Sequence, residues 1–181
     1  MANELKVAIR ECLDSDFEAV YLTINEAAMA FRDTVPADRW HEPYMPREEL
    51  SAEIADGVGF SCAVIEWRVI GVMGLQRKHD VDLIRHAYVV PQLQSRGIGA
   101  MLLEHLEALS GRPILIGTWR ANVGAISFYE RHGYKLVGED HRERLLRTYW
   151  QIPERQIEES IVMADARWVS LHGVGHRNSS S

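Results

Sequence analysis

The most informative segment of the chain reads Val89-Val90-Pro91-Gln92-Leu93-Gln94-Ser95-Arg96-Gly97-Ile98-Gly99-Ala100. An apolar run ends at a proline, which donates no hydrogen bond to a sheet, and a helical pattern begins beyond the two glycines. The first N–H groups of a helix lack partners within the helix and carry partial positive charge, so they bind phosphate well. Glycines at positions 97 and 99 would let a bulky pyrophosphate approach the backbone. The segment therefore predicts a strand, a phosphate-binding loop and a helix in succession.

Two other kinds of phosphate loop are excluded by the residues that follow. A Walker loop requires Gly-Lys-Ser/Thr, whereas this chain has Gly99-Ala100-Met101. A dinucleotide-binding loop requires a third glycine, whereas position 102 is leucine. Such a loop also follows the first strand of its fold, whereas this segment lies in the middle of the chain. Two glycines alone leave one alternative open, which is a tight strand-to-helix turn that binds nothing.

Composition limits the class of protein. The chain has 181 residues, 46% of them hydrophobic and 25% charged, which is typical of soluble globular proteins. We expect one domain over residues 1–170 and a flexible tail over residues 171–181. The 20 Lys and Arg against 26 Asp and Glu give a net charge of −6, which disfavours a nucleic-acid partner.

The sequence also bears on location, metals and cysteine chemistry. The N-terminus lacks the pattern of a signal peptide, and no apolar run approaches the ~18–20 residues that span a bilayer, so we expect a cytoplasmic protein with no membrane partner. Cys12 and Cys62 are far apart in sequence and lie within apolar patterns. We interpret both as reduced core thiols, and we expect no metal site.

Hydrophobic periodicity predicts the element order β-α-α-β-β-β-α-β-α-β-β, a mixed α/β fold. Ser15 and Glu18 form a capping box that predicts the start of the first helix. The segment Arg144–Tyr149 is ambiguous. The seven predicted strands cover residues 6–10, 60–65, 69–75, 81–90, 114–116, 134–137 and 157–168. The predicted helices after the first cover residues 46–55, 98–109 and 125–132.

Two sequence blocks together resemble the GNAT family of N-acetyltransferases. The segment Gln94-Ser95-Arg96-Gly97-Ile98-Gly99 matches the family signature Gln/Arg-x-x-Gly-x-Gly/Ala. The segment Asn122-Val123-Gly124-Ala125-Ile126-Ser127-Phe128-Tyr129-Glu130-Arg131-His132-Gly133-Tyr134 is similar to the second block, Asn-x-x-Ala-x-x-x-Tyr-x-x-x-Gly-Phe/Tyr. The resemblance implies a twisted, mostly antiparallel sheet that is flanked by helices and splayed at its central parallel strands. It also implies acetyl-CoA as the acetyl donor.

The resemblance assigns roles to individual positions. The backbone of Ala87, Tyr88 and Val89 would pair with the pantetheine arm. Asn122 would contact the cofactor, and Tyr129 would protonate the leaving thiolate. The alternatives are that Asn122 is a plain helix N-cap and that Tyr129 is a core aromatic residue. The pyrophosphate would be held by Gln94, Ser95, Arg96, Gly97, Ile98, Gly99 and Ala100.

Acetyl transfer to an amine also requires a general base. Relatives that acetylate protein N-termini carry a glutamate on the strand before the second block, where this chain has Ile116-Gly117-Thr118-Trp119. This departure puts N-terminal acetylation of proteins or peptides in doubt. We favour His86 and His41 because imidazole titrates near neutral pH. The other candidates are an ordered water and the carboxylates of Glu26, Glu42 and Glu66.

The loop Arg32–Tyr44 follows the first helix, a region that covers the acceptor in the resembled family. Its Trp40 and Tyr44 would form walls for an amine. Its carboxylates Asp33, Asp38 and Glu42 would attract the ammonium group, and Glu26 is a further candidate for contact with the substrate. A purely structural loop is the alternative. We therefore expect an N-acetyltransferase that acts on a small amine, an amino acid or a protein lysine in a ternary complex. A non-catalytic module that binds CoA is the alternative function, and the chain could form a homodimer.

Overall fold

The computed structural model describes residues 6–173. These residues form two compact units. The first contains residues 6–77 and 84–111, and the second contains residues 78–83 and 112–173. Two strands contribute residues to both units: one ends at Lys78, which belongs to the second unit, and the other begins at Val81 and is described below.

Four strands of the first unit lie side by side: β1 (Val7–Glu11), β2 (Val58–Ile65), β3 (Arg68–Lys78) and β4 (Val81–Val89). β1 and β2 are antiparallel, as are β2 and β3, which are joined by a two-residue turn. Residues 81–83 of β4 belong to the second unit, and residues 84–89 belong to the first.

Three helices complete the first unit: α1 (Phe17–Ala28), α2 (Arg47–Ala55) and α3 (Ile98–Leu109). The helical periodicity of α1 buries Val20, Tyr21 and Ile24 in a core with Leu50 of α2 and Cys62 of β2. α3 has the bounds that the sequence predicts, because its apolar spacing is regular and a glycine precedes it.

The predicted capping box at Ser15 and Glu18 is wrong. A short 3-10 turn at Asp14–Asp16 leads directly into α1, and no side chain caps the first residues of that helix. Glu18 instead forms an ion pair with Arg47 at 2.5 Å. An ion pair to a distant helix has therefore replaced the local hydrogen bond that the spacing suggests.

The second unit contains the start of β4 and three further strands, β5 (Ile114–Trp119), β6 (Lys135–Leu136) and β7 (Ser160–Ala164). β7 lies between β5 and β6 and is antiparallel to both. The Asp82 N–H donates to the Pro113 carbonyl where β4 and β5 begin. The helices are α4 (Val123–Arg131), α5 (Glu139–Tyr149), α6 (Glu154–Glu159) and α7 (Ala166–His172).

The single strand predicted over residues 157–168 is wrong. Only Ser160–Ala164 are extended, and Asp165 then caps α7 by accepting a hydrogen bond from the Trp168 N–H at 2.9 Å. α7 continues through His172, two residues into the predicted tail, and residues 174–181 lie outside the described residues. The ambiguous segment Arg144–Tyr149 is the second half of α5.

The predicted fold class is confirmed. The protein has a mixed α/β fold with a mostly antiparallel sheet, one parallel pair of strands and flanking helices. Within residues 6–173, no helix has the length and apolar character needed to cross a lipid bilayer.

Candidate active site

The predicted phosphate loop lies in the first unit, between the end of β4 and the start of α3. Ser95 and Gly97 both have left-handed backbone angles, with φ of 60° and 80°, so the loop curls tightly before the helix. A Cβ placed on Gly97 would meet no atom within 4 Å. The space beside the start of α3 is therefore open, as the binding of an anion there requires.

Two contacts hold this loop and helix against the sheet. The Gln94 side chain donates from Nε2 to the Val89 carbonyl at 3.0 Å, which ties the loop to the end of β4. A Cβ on Gly71 of β3 would lie 3.3 Å from the Ile98 and Leu102 side chains and from the Tyr88 carbonyl. Helix α3 therefore begins directly over the strands, and this close approach requires glycine at position 71.

Three of the predicted cofactor-binding residues have clear positions. Ile98 is buried, so it anchors α3 and leaves only its backbone N–H for a ligand. Arg96 is exposed and forms no ion pair with any residue between 6 and 173. Gly97 has no side chain that could cap the helix. The loop thus offers backbone donors and one cation.

The predicted acceptor loop packs against the end of β4 through aromatic rings. Tyr88 of β4 lies 6.2 Å from Phe31 and 6.4 Å from Tyr44, measured between ring centroids. Trp40 stacks on Tyr44 at 5.3 Å. The Trp40 Nε1 donates to the Glu42 carboxylate at 3.2 Å. A chain of ring contacts therefore joins Trp40 to the strand predicted to bind pantetheine.

His86 has an unusual backbone and a carboxylate partner. Its φ of 51° lies in the left-handed region within β4, which is typical of a bulge and rare for a residue other than glycine. Its Nε2 lies 3.1 Å from the Glu53 carboxylate of α2, and its ring stacks on Phe60 at 5.9 Å. The side chain is 14% exposed. Packing and the Glu53 contact therefore hold the imidazole in one orientation.

The Glu53 carboxylate also accepts a hydrogen bond from a cation, Arg85. Arg85 donates to it at 2.7 Å and also donates to Gln76 at 2.7 Å. Burial opposes ionisation of Glu53, but hydrogen bonds from His86 and Arg85 outweigh it and lower the pKa of this carboxyl. Glu53 was not identified from the sequence. The contact spans 33 residues, and no local pattern marks a glutamate on a polar helix face.

A hydrogen-bonded carboxylate also determines the chemistry that His86 can perform. With a carboxylate at Nε2, the neutral imidazole carries its proton on that nitrogen and leaves Nδ1 as a proton acceptor. No other described residue bonds to Nδ1. His86 and Glu53 therefore have the arrangement of a general base and the carboxylate that orients it.

Within residues 6–173, none of the other base candidates belongs to a hydrogen-bonded pair of an imidazole and a carboxylate. His41 is exposed, with its Nδ1 2.7 Å from the Pro43 carbonyl. Glu26 is exposed on α1. Glu66 is exposed in the turn between β2 and β3 with φ of 56°. Glu42 accepts from Trp40 and lies 3.5 Å from Arg32.

The second unit contains the other two predicted site residues. Asn122 precedes α4, and its Oδ1 accepts a hydrogen bond from the Ala125 N–H at 3.1 Å, so the N-cap interpretation is confirmed. Tyr129 lies on α4, is 4% exposed and contacts the rings of Phe128 and Tyr134. Burial raises the pKa of its phenol. The raised pKa keeps the phenol protonated near neutral pH, and its hydroxyl bonds to no other described residue.

Comparison with known proteins supports the resemblance found in the sequence. The family model described as an acetyltransferase (GNAT) domain matches residues 58–136, which include both sequence blocks. No curated protein sequence matches the chain significantly.

Solved structures match the chain over most of its length. The PaiA N-acetyltransferase of Thermoplasma acidophilum, in complex with coenzyme A, has 19% identity and a TM-score of 0.66 over 88% of this chain and 98% of that chain. A ribosomal-protein alanine N-acetyltransferase from Escherichia coli has 18% identity and a TM-score of 0.62 over 88% and 93%.

N-acetylglutamate synthase from Neisseria gonorrhoeae, complexed with coenzyme A and N-acetyl-glutamate, has 20% identity and a TM-score of 0.60. The match covers 91% of this chain but 36% of the larger synthase chain. At these identities the likeness shows the fold. Together with the family model matched over residues 58–136, it confirms the resemblance of the chain to the GNAT acetyltransferases.

Proposed function

We propose that this protein is an acetyl-CoA-dependent N-acetyltransferase that moves the acetyl group to a primary amine by direct attack in a ternary complex. The observation that carries the proposal is the curled loop before α3, with open space at Gly97, within a domain of an acetyltransferase family. The coenzyme A complexes of two similar structures support the choice of cofactor.

The cofactor would be held mainly by backbone groups. The N–H groups of Ile98, Gly99 and Ala100 belong to the first turn of α3 and would donate to the pyrophosphate, with Arg96 as a nearby cation. The backbone of residues 87–89 would pair with the pantetheine amides. Asn122 uses its Oδ1 to cap α4, so its Nδ2 is the donor that we assign to the cofactor.

His86 is the general base in this proposal. The attacking nitrogen must lose a proton as its lone pair forms the bond to the acetyl carbon. The Nδ1 of His86 would accept that proton, while Glu53 holds Nε2 and stabilises the imidazolium that forms. The left-handed backbone at His86 supports this role, because such strained positions cluster at functional sites.

The leaving group and the developing oxyanion need a donor each. Backbone N–H groups of β4 would stabilise the oxyanion on the acetyl carbonyl. The carbon–sulfur bond then breaks, and Tyr129 would give its proton to the thiolate. Burial supports this assignment because it keeps the phenol protonated at neutral pH.

The acceptor would bind beside the aromatic loop. Trp40 and Tyr44 form a stacked pair that reaches β4 through Tyr88, so an amine with an apolar body would contact these rings. Glu26 is exposed on α1 and would attract the ammonium group before it is deprotonated. The acceptor class remains the predicted one: a small amine, an amino acid or a protein lysine.

The decisive experiment separates catalysis from binding. Purified protein is incubated with acetyl-CoA and a panel of amines, amino acids and lysine peptides, and released CoA thiol is measured together with the acetylated product. We expect amine-dependent thiol release. Saturable binding of acetyl-CoA without release for any acceptor would instead support the alternative, a non-catalytic module that binds CoA.

A glycine substitution tests the phosphate loop itself. Gly97→Val should abolish acetyl-CoA binding, because the branched side chain would occupy the open space and resist the left-handed backbone. Gly57→Val is the matched control, since Gly57 has φ of 95°, also meets nothing within 4 Å and lies outside the loop. Both variants should lose stability, and only Gly97→Val should lose binding. Equal binding by the two would contradict the assignment.

A further inference from the structure

The only two cysteines of the chain, 50 positions apart in the sequence, meet in the first unit. In the antiparallel pairing of β1 with β2, Arg10 lies opposite Cys62. Cys12 follows the end of β1, and its N–H donates to the Phe60 carbonyl at 2.8 Å. Cys12 is thus a diagonal neighbour of Cys62, and the period of two places both side chains on the same face.

The two sulfur atoms and a carboxylate oxygen of Asp16 all lie within 4.8 Å of one another. Cys62 is fully buried, whereas Cys12 is half-buried at the end of its strand. The two thiols are therefore adjacent but differ in access: a reagent in solution reaches Cys12 first.

A fixed cation lies beside the pair. Arg10 donates to both oxygens of Asp16, at 2.6 and 3.0 Å. The pKa of Cys62 is lowered, because it accepts a hydrogen bond from Cys12 and lies near the positive charge of Arg10, although burial acts in the opposite direction. Donating that hydrogen bond raises the pKa of Cys12, and burial adds to the effect. One proton is therefore shared between the two sulfurs, and the pair loses its other proton more readily than an isolated thiol does.

A metal ion fits this cluster less well than a covalent bond. Asp16 already accepts two hydrogen bonds from Arg10 and one from the Leu13 N–H at 2.7 Å. A cation would have to compete with a guanidinium for this carboxylate, leaving two sulfurs as ligands, whereas structural zinc sites use four. A disulfide requires no further ligand: the sulfurs must approach to ~2.05 Å with a Cβ–S–S–Cβ dihedral angle of roughly ±90°. Cys12 lies beyond the last residue of β1, so it can shift without breaking the strand.

We propose that Cys12 and Cys62 form a modification site, at which a small-molecule disulfide such as glutathione disulfide closes an intrachain disulfide between the end of β1 and the middle of β2. Cys12, the more accessible sulfur, passes its proton to the Cys62 thiolate as it attacks the glutathione disulfide and forms a mixed disulfide, and the glutathione thiolate that leaves takes that proton from Cys62. The Cys62 thiolate then attacks the Cys12 sulfur and releases the second. Two protein thiols lose two protons and two electrons, and one glutathione disulfide becomes two glutathione thiols.

The test uses the whole protein and does not depend on acetyl transfer. Reduced protein is incubated with glutathione disulfide, quenched in acid, and examined by intact mass and by thiol titration in denaturant. We expect the thiol count to fall from two to zero, the mass to decrease by two hydrogen atoms, and peptide mapping to find Cys12 joined to Cys62. Dithiothreitol should restore both thiols.

Two variants separate the steps. Cys62→Ser should stop at a glutathione adduct on Cys12, and Cys12→Ser should leave the buried Cys62 unreacted. The proposal is overturned if the wild type retains two thiols while Cys62→Ser forms its adduct, if it accumulates glutathionylated protein, or if it forms only dimers linked between chains. It is also overturned if Zn²⁺ binds at micromolar concentration and protects both thiols. Mapping of the wild type keeps the test valid if a variant does not fold.

Discussion

Tyr129 combines a buried ring with a hydroxyl that no other described residue uses. We predict that Tyr129→Phe folds with wild-type stability and keeps the KM for acetyl-CoA, because the ring contacts with Phe128 and Tyr134 remain. The value of kcat should fall ~10²–10⁴-fold, the range for loss of general acid–base catalysis. Steady-state kinetics with saturating cofactor check this. Unchanged kcat, with transfer shown to limit the rate, would reduce Tyr129 to a packing residue.

Glu53 links protonation to stability. Its pKa lies below the ordinary value of 4.5, so the carboxylate stabilises the fold above about pH 4.5, and this stabilisation is lost as the pH falls through the lowered pKa. We predict that Glu53→Gln lowers the free energy of unfolding at pH 7 by about 1.5–3 kcal/mol, as for hydrogen bonds to charged groups. The difference from wild type should shrink below pH 4.5.

The matched control for Glu53 is Glu49→Gln, an exposed glutamate on the same helix. Its substitution should change the free energy of unfolding by less than about 0.5 kcal/mol at either pH. Denaturant titrations at pH 7 and pH 4 measure both variants. A Glu53→Gln effect that persists undiminished in acid would show that lost packing, rather than lost charge, causes the destabilisation.

At the scale of residues, local rules identified some of the site and missed the rest. Gly97 was a candidate because glycine before a helix leaves room for a phosphate, and the structure adds that its backbone is left-handed. Asn122 was a candidate cap because asparagine is favoured just before a helix. His86 was a candidate by residue type alone. Its partner Glu53 comes from another element, and tertiary contacts of this kind leave no periodic signal in the sequence.

Strand β5 and Trp150 illustrate how elements constrain one another in the second unit. A Cβ on Gly117 would lie 2.9 Å from the buried Trp150 ring, so the ring or the strand would have to shift. We predict that Gly117→Ala lowers the free energy of unfolding by about 1–3 kcal/mol, the usual cost of overpacking. Gly111→Ala is the control, because a Cβ there meets nothing within 4 Å. Equal denaturation midpoints for the two variants would contradict this packing.

The aromatic loop makes a prediction at the same scale. Trp40→Ala should raise the KM of the amine severalfold and leave the KM of acetyl-CoA unchanged, because the ring contacts of Trp40 are with Tyr44 and Arg32 of the acceptor loop. Trp67→Ala serves as the control, since Trp67 is 86% exposed in the turn between β2 and β3. Loss of affinity for acetyl-CoA in Trp40→Ala would show that the loop belongs to the cofactor site.

Elements with a strong single period were predictable, and composite segments were not. α3 matches its predicted bounds because its buried residues recur every three or four positions and a glycine precedes it. Residues 157–168 combine the end of α6, the five residues of β7 and the start of α7. Each piece is too short to establish a period, so an apolar run there was interpreted as one strand.

At the scale of the molecule, β4 contributes several residues to each unit, whereas β3 contributes only Lys78 to the second. Residues 81–83 belong to the second unit and residues 84–89 to the first, within one uninterrupted strand. Composition and length predict a single domain over residues 1–170. The two compact units can unfold either together or one at a time. The shared strand β4 supplies a buried side chain to each unit, Leu83 to the second and Ile84 to the first.

We predict that residues 6–173 unfold as one cooperative domain, because unfolding either unit would remove partners from part of β4 and so destabilise the strand on which the other depends. Leu145→Ala tests this: Leu145 is buried in the second unit, and its truncation should cost about 2–5 kcal/mol. Hydrogen exchange measured by mass spectrometry should then show the slowest amides of β2 and β7 accelerated by the same factor, since both exchange through global unfolding. Acceleration confined to β7 would mean that the second unit opens alone and that the chain contains two separately stable parts.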